Sequence, residues 1–263
     1  MRSKRAVSKI LVGVFSSTSA TAFVLKALYV ATSLLCIMMV FWIAIFPSSW
    51  LMGHSRLHDD LVDGVIVQPY AYQKGVAVPP ATITKYAGHL AIQFSHILPG
   101  AFWAGVIPFQ LHPNFRRGNK TLHRVTGYLF LISSLAQAAG LFLIVKRGLT
   151  YDHDYVDLLP MNRTKKTIFD VSCCVLAVCF AFTAIMAVVK ARAGDIRAHR
   201  RYVIRHIGTG IWVAVQRIIV VCSRPGTEEL MRDRFGDAST VAIVTCLLSS
   251  EFAIFLLDKP IKI

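Results

Sequence analysis

Two short segments of the chain carry the same cationic residues in the same order. The segment "RRGNKTLHR" begins at Arg116 and "RAGDIRAHR" begins at Arg192, and both follow the pattern R-x-G-[N/D]-x-x-x-H-R. Histidine binds protons, metal ions or anions, and arginine presents a planar fork of donors to carboxylate and phosphate groups. The candidate ligand-binding residues are the two His-Arg pairs and one arginine that follows the second pair: His123, Arg124, His199, Arg200 and Arg205.

The spacing also predicts where these side chains lie. The glycine of each segment, Gly118 or Gly194, is expected to end one helix in the left-handed conformation. The next residue, Asn119 or Asp195, is expected to cap the following helix. The histidine is then the fourth helical residue, near a helix N-terminus that attracts anions. The alternative is that the cations set topology and contact lipid headgroups, each contributing about 1 kcal/mol near an anionic surface.

Paired histidines raise a second kind of chemistry, the ligation of b-type haem between facing membrane helices. Two stacked haems need histidines about thirteen residues apart on one helix, or about 20 Å. Counting from His89, His96 or His206 reaches no second histidine. A single haem held by His123 and His199 remains as the alternative. No third ligand at metal-site spacing accompanies them, so no metal site is predicted and no cofactor is expected.

Composition predicts the elements that hold these residues. The chain has 263 residues, of which 55% are hydrophobic and 16% are charged, whereas a soluble domain carries about 25% charged residues. Windows of about twenty nearly uncharged residues predict helices that cross a bilayer core of about 30 Å. They cover residues 27–46, 88–111, 125–145, 168–189, 203–222 and 239–257. Because a lipid-exposed strand cannot satisfy its backbone, an all-α integral membrane protein is expected.

The distribution of charge predicts the orientation. With a cytoplasmic N-terminus and six crossings, the inner segments hold 17 of the 29 Lys and Arg residues and two acids. The outer segments hold 11 Lys and Arg residues and ten acids. This excess of Lys and Arg follows the positive-inside rule, so both termini are predicted to be cytoplasmic. The net charge of +15 therefore requires no nucleic acid, and the expected partners are the lipid bilayer and its anionic headgroups.

Polar residues inside the predicted spans form a second candidate set. A charge in hydrocarbon is costly unless it faces the bundle interior and finds a partner. By depth, Glu251 lies near the level of Arg205, and Asp170 is the acid nearest to Arg217. The two interpretations are a polar pathway or proton relay through the bundle, and a pair of ion pairs that fix helices together. The intramembrane polar residues of this set are His96, Gln110, Asp170, Arg217 and Glu251.

Several motifs carry a family resemblance. They are "HILPG" at 96–100, "PFQ" at 108–110, "HRVTGY" at 123–128, "GDIRAHRRYVIR" at 194–205, and Arg217. With these motifs the chain resembles the multi-pass membrane proteins of the domain-of-unknown-function 2306 family over roughly residues 88–225. The resemblance implies a membrane architecture and supplies no activity. The chain departs from the family pattern at His206, where a small polar residue is usual, so His206 is left out of the candidate site.

The expected architecture has six transmembrane helices. Residues 1–26 form a basic cytoplasmic tail, with a transit peptide as the alternative for its first twenty residues. Residues 27–257 form one membrane domain with an outer loop at 47–87, and residues 258–263 form a second cytoplasmic tail. The core at 88–225 is a four-helix bundle of two repeated hairpins, related by an axis along the membrane normal, and one helix flanks it at each end.

The expected function is a non-enzymatic module that binds lipid headgroups, a small anion or a membrane partner at its basic cytoplasmic rim. The alternative is a membrane redox protein with one b-type haem ligated by His123 and His199. The sequence contains no Gly-rich phosphate loop or nucleophile elbow, and it leaves open whether the chain is an enzyme.

Overall fold

A computed structural model describes residues 2–45, 86, 88–150, 163–223 and 228–258. The predicted outer loop, apart from Tyr86, and the C-terminal tail, apart from Asp258, lie outside the described residues. Every element of the described part is helical, and no strand occurs there. The elements are α1 (Arg2–Ile45), α2 (Leu90–Ile92), the π-helical segment π1 (Gln93–Ile97), α3 (Leu98–Leu111), α4 (Pro113–Gly118), α5 (Lys120–Lys146), α6 (Arg163–Arg192), α7 (Ile196–Ser223) and α8 (Glu228–Asp258).

The described residues contain six helical stretches that are long and apolar enough to cross a membrane. They are Ala20–Ile43, Leu90–Leu111, Lys120–Lys146, Arg163–Arg192, Ile196–Ser223 and Leu230–Asp258. Each stretch overlaps one predicted window, so the all-α, six-helix prediction is confirmed. Most helices extend beyond their predicted windows. Helix α5, with 27 residues, is about 40 Å long and is therefore longer than the hydrocarbon core of about 30 Å on which the windows are based.

Helix α7 packs against α6 and α8 and also contacts α1. Helix α3 packs between α1 and α5, and α5 in turn packs against α6. Small side chains allow this close approach, which matters because lipid supplies little hydrophobic force between helices. The outward faces carry exposed apolar side chains that suit contact with lipid. The main buried cluster contains Cys36, Trp103, Ala104, Ile107, Ala138, Ala177, Phe180, Ile207, Ile211, Ala214 and Cys246.

The π-helical segment π1 adds one wide turn to the second span. Pro99 has no backbone N–H, so the carbonyl of Ser95 has no ordinary partner four residues later, and a π-turn accommodates the mismatch. The widened turn brings π1 against α5, where His96 Nδ1–H donates to the Gln137 carbonyl at 2.9 Å. A Cβ atom at Gly140 would lie 2.7 Å from the His96 Cβ atom. The close approach of π1 and α5 therefore requires glycine at position 140.

The turns that carry the two His-Arg pairs differ from each other. Gly194 has φ +76°, and Asp195 Oδ1 accepts the backbone N–H of the third residue of α7 at 2.9 Å, as predicted. The prediction is wrong for Gly118 and Asn119. Pro113 starts the additional helix α4, which runs through Gly118, and Asn119 makes no side-chain cap bond to α5. The chain turns instead at the backbone of Asn119, with φ −133° and ψ 64°.

Candidate functional site

The two His-Arg turns lie together at one end of the bundle. Each histidine is the fourth residue of its helix, as predicted, because α5 begins at Lys120 and α7 at Ile196. His123 lies within electrostatic reach of His199 and Arg116, and Arg116 lies within reach of Arg200. These residues of two sequence segments form what we call the His-Arg cluster: Arg116, His123, His199 and Arg200.

The His-Arg cluster concentrates positive charge. Partial burial lowers the pKa of the Arg116 guanidinium, and the nearby charges of Arg200 and Arg117 lower this pKa further. Within the described part of the chain, Arg116 Nε and His123 Nδ1 are buried atoms without a hydrogen-bond partner. His199 differs, because its Nδ1–H donates to the Ala187 carbonyl at 2.7 Å. Charge and unsatisfied polar atoms of this kind suit an anionic ligand.

Other cations on α7 have acidic partners on α8. Arg197 and Arg201 both pair with Asp258. Arg205 donates two hydrogen bonds to Glu251, at 2.6 and 2.9 Å. Arg205 therefore contributes to the contact between α7 and α8, outside the His-Arg cluster. Arg124, the partner of His123 in sequence, has an exposed side chain.

The remaining intramembrane polar residues have separate environments. Asp170 pairs with Lys166 at 3.2 Å. Gln110 Nε2 donates to the His123 carbonyl at 3.2 Å and to Thr126 Oγ1, and it thereby connects α3 to the first turns of α5. The guanidinium of Arg217 lies over two aromatic rings, those of Trp42 and Phe235.

His206 is the central polar residue that sequence reasoning missed. Its side chain is fully buried. Trp103 Nε1–H donates to His206 Nε2 at 2.8 Å, and an indole N–H can only donate. Nε2 therefore carries the lone pair, and Nδ1–H donates to the Phe180 carbonyl at 3.0 Å. Both ring nitrogens of a neutral imidazole are thus engaged inside the bundle.

Four helices meet at this imidazole. Ser134 Oγ of α5 lies 2.9 Å from Nε2, and Thr183 Oγ1 of α6 lies 3.2 Å from Nδ1. The ring centroid of Phe180 lies 4.1 Å from that of His206. Trp103 comes from α3 and His206 from α7. We call this set the His206 cluster: Trp103, Ser134, Phe180, Thr183 and His206. No single window of sequence contains a signal for it, because its members come from four helices.

A cavity of about 270 Å³ lies beside the His206 cluster, and Phe180 lines it. All six long helices contribute to its walls, which are mostly apolar. An apolar pocket with a few convergent polar groups is the usual form of a small-molecule site. The polar lining residues are Tyr86, His96, Gln137, Thr150, Thr209, Gln216 and Arg217, and the aromatic ones besides Tyr86 are Trp42, Phe169, Phe180, Trp212 and Phe235.

Comparison with known proteins gave no match. No family model, curated protein or solved structure matches this chain. Within the described ranges, no group of three or more His, Cys, Asp or Glu side chains is arranged to hold a metal ion.

The position of Arg217 leads to a first prediction. Its guanidinium lies 5.6 Å from the Trp42 ring centroid and 4.7 Å from that of Phe235. Loss of these contacts in Arg217→Leu is expected to cost about 1–2 kcal/mol, which lowers the melting temperature in detergent by about 2–8 °C. Arg217→Lys keeps the charge but loses the planar stacking, so its effect is smaller.

Arg163→Leu is the matched control, because Arg163 is exposed at the start of α6. Its melting temperature should stay close to that of the parent protein. If Arg217→Leu melts at the parent temperature as well, the contacts of Arg217 with the rings contribute nothing to the fold.

Proposed function

We propose that the chain is a multi-pass membrane protein that binds a phosphate-bearing anion at its cytoplasmic face, without catalysing a reaction. The observation that carries the proposal is the His-Arg cluster, in which cations of two separate segments lie together. Arg116 and His123 also present buried polar atoms that the described residues leave without partners. An anion with several oxygen acceptors would accept from Arg116 Nε–H, and from His123 in the tautomer that carries its proton on Nδ1. Arginine also binds phosphate in a bidentate way.

The repeated sequence pattern supports a shared site. Both histidines follow the same helical start, since the N–H groups of His123 and His199 close the first turn on Asn119 O and Asp195 O, each at 2.9 Å. Two hairpins that face the same way would place both turns on one side of the membrane. The excess of Lys and Arg in these segments supports the cytoplasmic side. The anion would then bridge the two hairpins.

The second prediction tests whether the two histidines act as one site. The probe is dihexanoyl phosphatidic acid, a soluble lipid with a phosphate headgroup, titrated onto detergent-purified protein. His123→Ala and His199→Ala should each weaken binding. In the double variant their effects should depart from additivity by about 0.5–3 kcal/mol, because residues that share a partner are coupled. His89→Ala is the control, since His89 contacts Arg147 at the opposite end of α5.

The titration also shows which ligand is recognised, a free phosphate or a whole lipid headgroup, and whether the site exists at all. Competition by inorganic phosphate would show that the phosphate group alone is recognised. Binding of the lipid without such competition would show recognition of the whole headgroup. Near-zero and strictly additive effects of both histidine substitutions would contradict the proposal and would leave the cluster as an electrostatic anchor.

A specific observation favours a second candidate, a single b-type haem between His123 and His199. The Nδ1–H of His199 is held by a backbone carbonyl, which leaves Nε2 as the metal-binding nitrogen and is typical of metal-ligating histidines. A haem bound there would supply one-electron chemistry, and Arg116 and Arg200 would neutralise its propionates. An absorption spectrum with a Soret band that His123→Ala and His199→Ala abolish would support this candidate. A spectrum without that band, together with coupled lipid binding, would support the anion site.

A further inference from the structure

We propose that the cavity beside the His206 cluster binds a lipid-soluble molecule built on one planar ring with oxygen substituents, of the quinone and quinol class. This site is separate from the His-Arg cluster. Gln216, which lines the cavity, follows His199 by 17 residues on α7, or about 25 Å along the helix. The inference therefore does not depend on the proposed anion site.

The size of the cavity selects a single ring. Its volume is about 270 Å³, whereas an apolar protein cavity of about 150 Å³ accepts one benzene molecule. One ring with several substituents therefore fits within this volume. A water-filled cavity is a poor alternative, because buried water needs several polar partners and most of this lining is apolar.

The aromatic walls favour a planar ligand. Besides Tyr86, five aromatic side chains line the cavity: Trp42, Phe169, Phe180, Trp212 and Phe235. Aromatic rings prefer offset-stacked or edge-to-face neighbours at centroid distances of about 4.5–7 Å. A flat ring among these side chains makes such contacts on several sides. A flexible alkyl chain would fill the same volume without using this geometry.

The polar groups of the lining suit oxygen substituents. Gln137 Nε2 donates one hydrogen to Ser133 O at 3.2 Å, and an amide nitrogen has two hydrogens. Gln216 Nε2 donates to Phe235 O and Ser239 Oγ, so its Oε1 is the group that remains to accept.

Donors and acceptors therefore line the same cavity. A ring carbonyl accepts from Gln137, and a ring hydroxyl donates to Gln216. Among the described residues that line the cavity there is no Asp or Glu. A cationic ligand is therefore disfavoured, and a ring with neutral oxygen groups matches the lining.

The third prediction tests this site with duroquinone, which has one ring, two carbonyls and no open ring position for thiol addition. Binding is followed by quenching of tryptophan fluorescence in detergent, because Trp42 and Trp212 line the cavity. Quenching should be saturable. Val213 lines the cavity, and Val213→Phe should weaken binding by about tenfold or more, because the larger side chain takes up space that the ring needs. Val178→Phe is the matched control, because Val178 is exposed on the outer face of α6.

Durene has the same methylated ring without oxygen. If the carbonyls are recognised, the concentration of durene that displaces duroquinone should correspond to a Kd at least about tenfold higher than that of duroquinone, a difference of about 1.4 kcal/mol or more. Absence of saturable quenching, or equal affinity of Val213→Phe and Val178→Phe, would overturn the proposal. If Val213→Phe fails to fold, Met38→Trp narrows the cavity from α1 and serves the same test. Displacement of duroquinone by lower concentrations of decanoate or of durene would also overturn it, in favour of an anionic amphiphile or a purely apolar guest.

Discussion

His206→Leu is expected to lower the free energy of unfolding by about 2–4 kcal/mol. The substitution removes the acceptor of the Trp103 indole N–H, which lies 2.8 Å from His206 Nε2. A buried donor without a partner costs about 1–3 kcal/mol, and the altered shape beside Phe180 and Phe130 adds a packing cost. The measurement is thermal or denaturant unfolding in detergent, with circular dichroism to verify helix content.

A double-mutant cycle makes this prediction specific to the hydrogen bond. Trp103→Phe removes the donor and keeps a ring at the same position. In the Trp103→Phe background, His206→Leu should cost less than it does in the parent protein, because no indole N–H is then left unsatisfied. His206→Gln keeps an acceptor and should be milder than His206→Leu. Equal costs of His206→Leu in the two backgrounds would show that the bond between Trp103 and His206 contributes nothing.

Gly210→Ala should destabilise the protein by about 1–3 kcal/mol. A Cβ atom at position 210 would lie 2.7 Å from Phe180 Cε2 and 2.7 Å from Trp103 Cη2. The Trp103 ring donates a hydrogen bond to His206, and the Phe180 ring packs against the same imidazole, so neither ring moves without disturbing the His206 cluster. The control is Gly105→Ala on α3, where the nearest atom, on Val40, would be 3.8 Å away. This control should be neutral or stabilising by up to about 1 kcal/mol, because alanine is the better helix former.

The comparison of Gly210→Ala with Gly105→Ala separates packing from helix propensity. Both substitutions add the same methyl group to a long apolar helix. Unfolding in the same detergent should place Gly210→Ala below the parent protein and Gly105→Ala at or above it. Equal stability of the two variants would contradict the close approach of α7 to Trp103 and Phe180.

The helices could be predicted from the sequence because each long apolar window must satisfy its own backbone. The turn at Gly194 and Asp195 was also predictable, since both its left-handed glycine and its cap are local features. The first turn was not, because Pro113 begins an extra helix that continues through Gly118. The π-turn at 93–97 had a partial signal in Pro99, whose missing N–H disturbs the preceding carbonyls.

The site residues also divide into those that the sequence predicted and those that it did not. The repeated pattern predicted His123 and His199 as members of one site, because the similarity of the two turns can be read from the sequence alone. The environment of His206 depends on side chains from α3, α5 and α6, and no local sequence pattern specifies which of them meet at this residue. The bond of Arg205 to Glu251 and the stacking of Arg217 on Trp42 and Phe235 also depend on which helix faces meet, which hydropathy does not determine.

The tautomer of His206 has an electrical consequence. Proton hopping along a chain of polar groups requires each member to accept a proton on one side and release another on the opposite side. At His206 the lone pair already faces the indole N–H of Trp103, and the indole nitrogen has no lone pair with which to pass a proton onward. A proton therefore cannot pass from His206 onward through Trp103, and this side of the imidazole is closed to proton transfer.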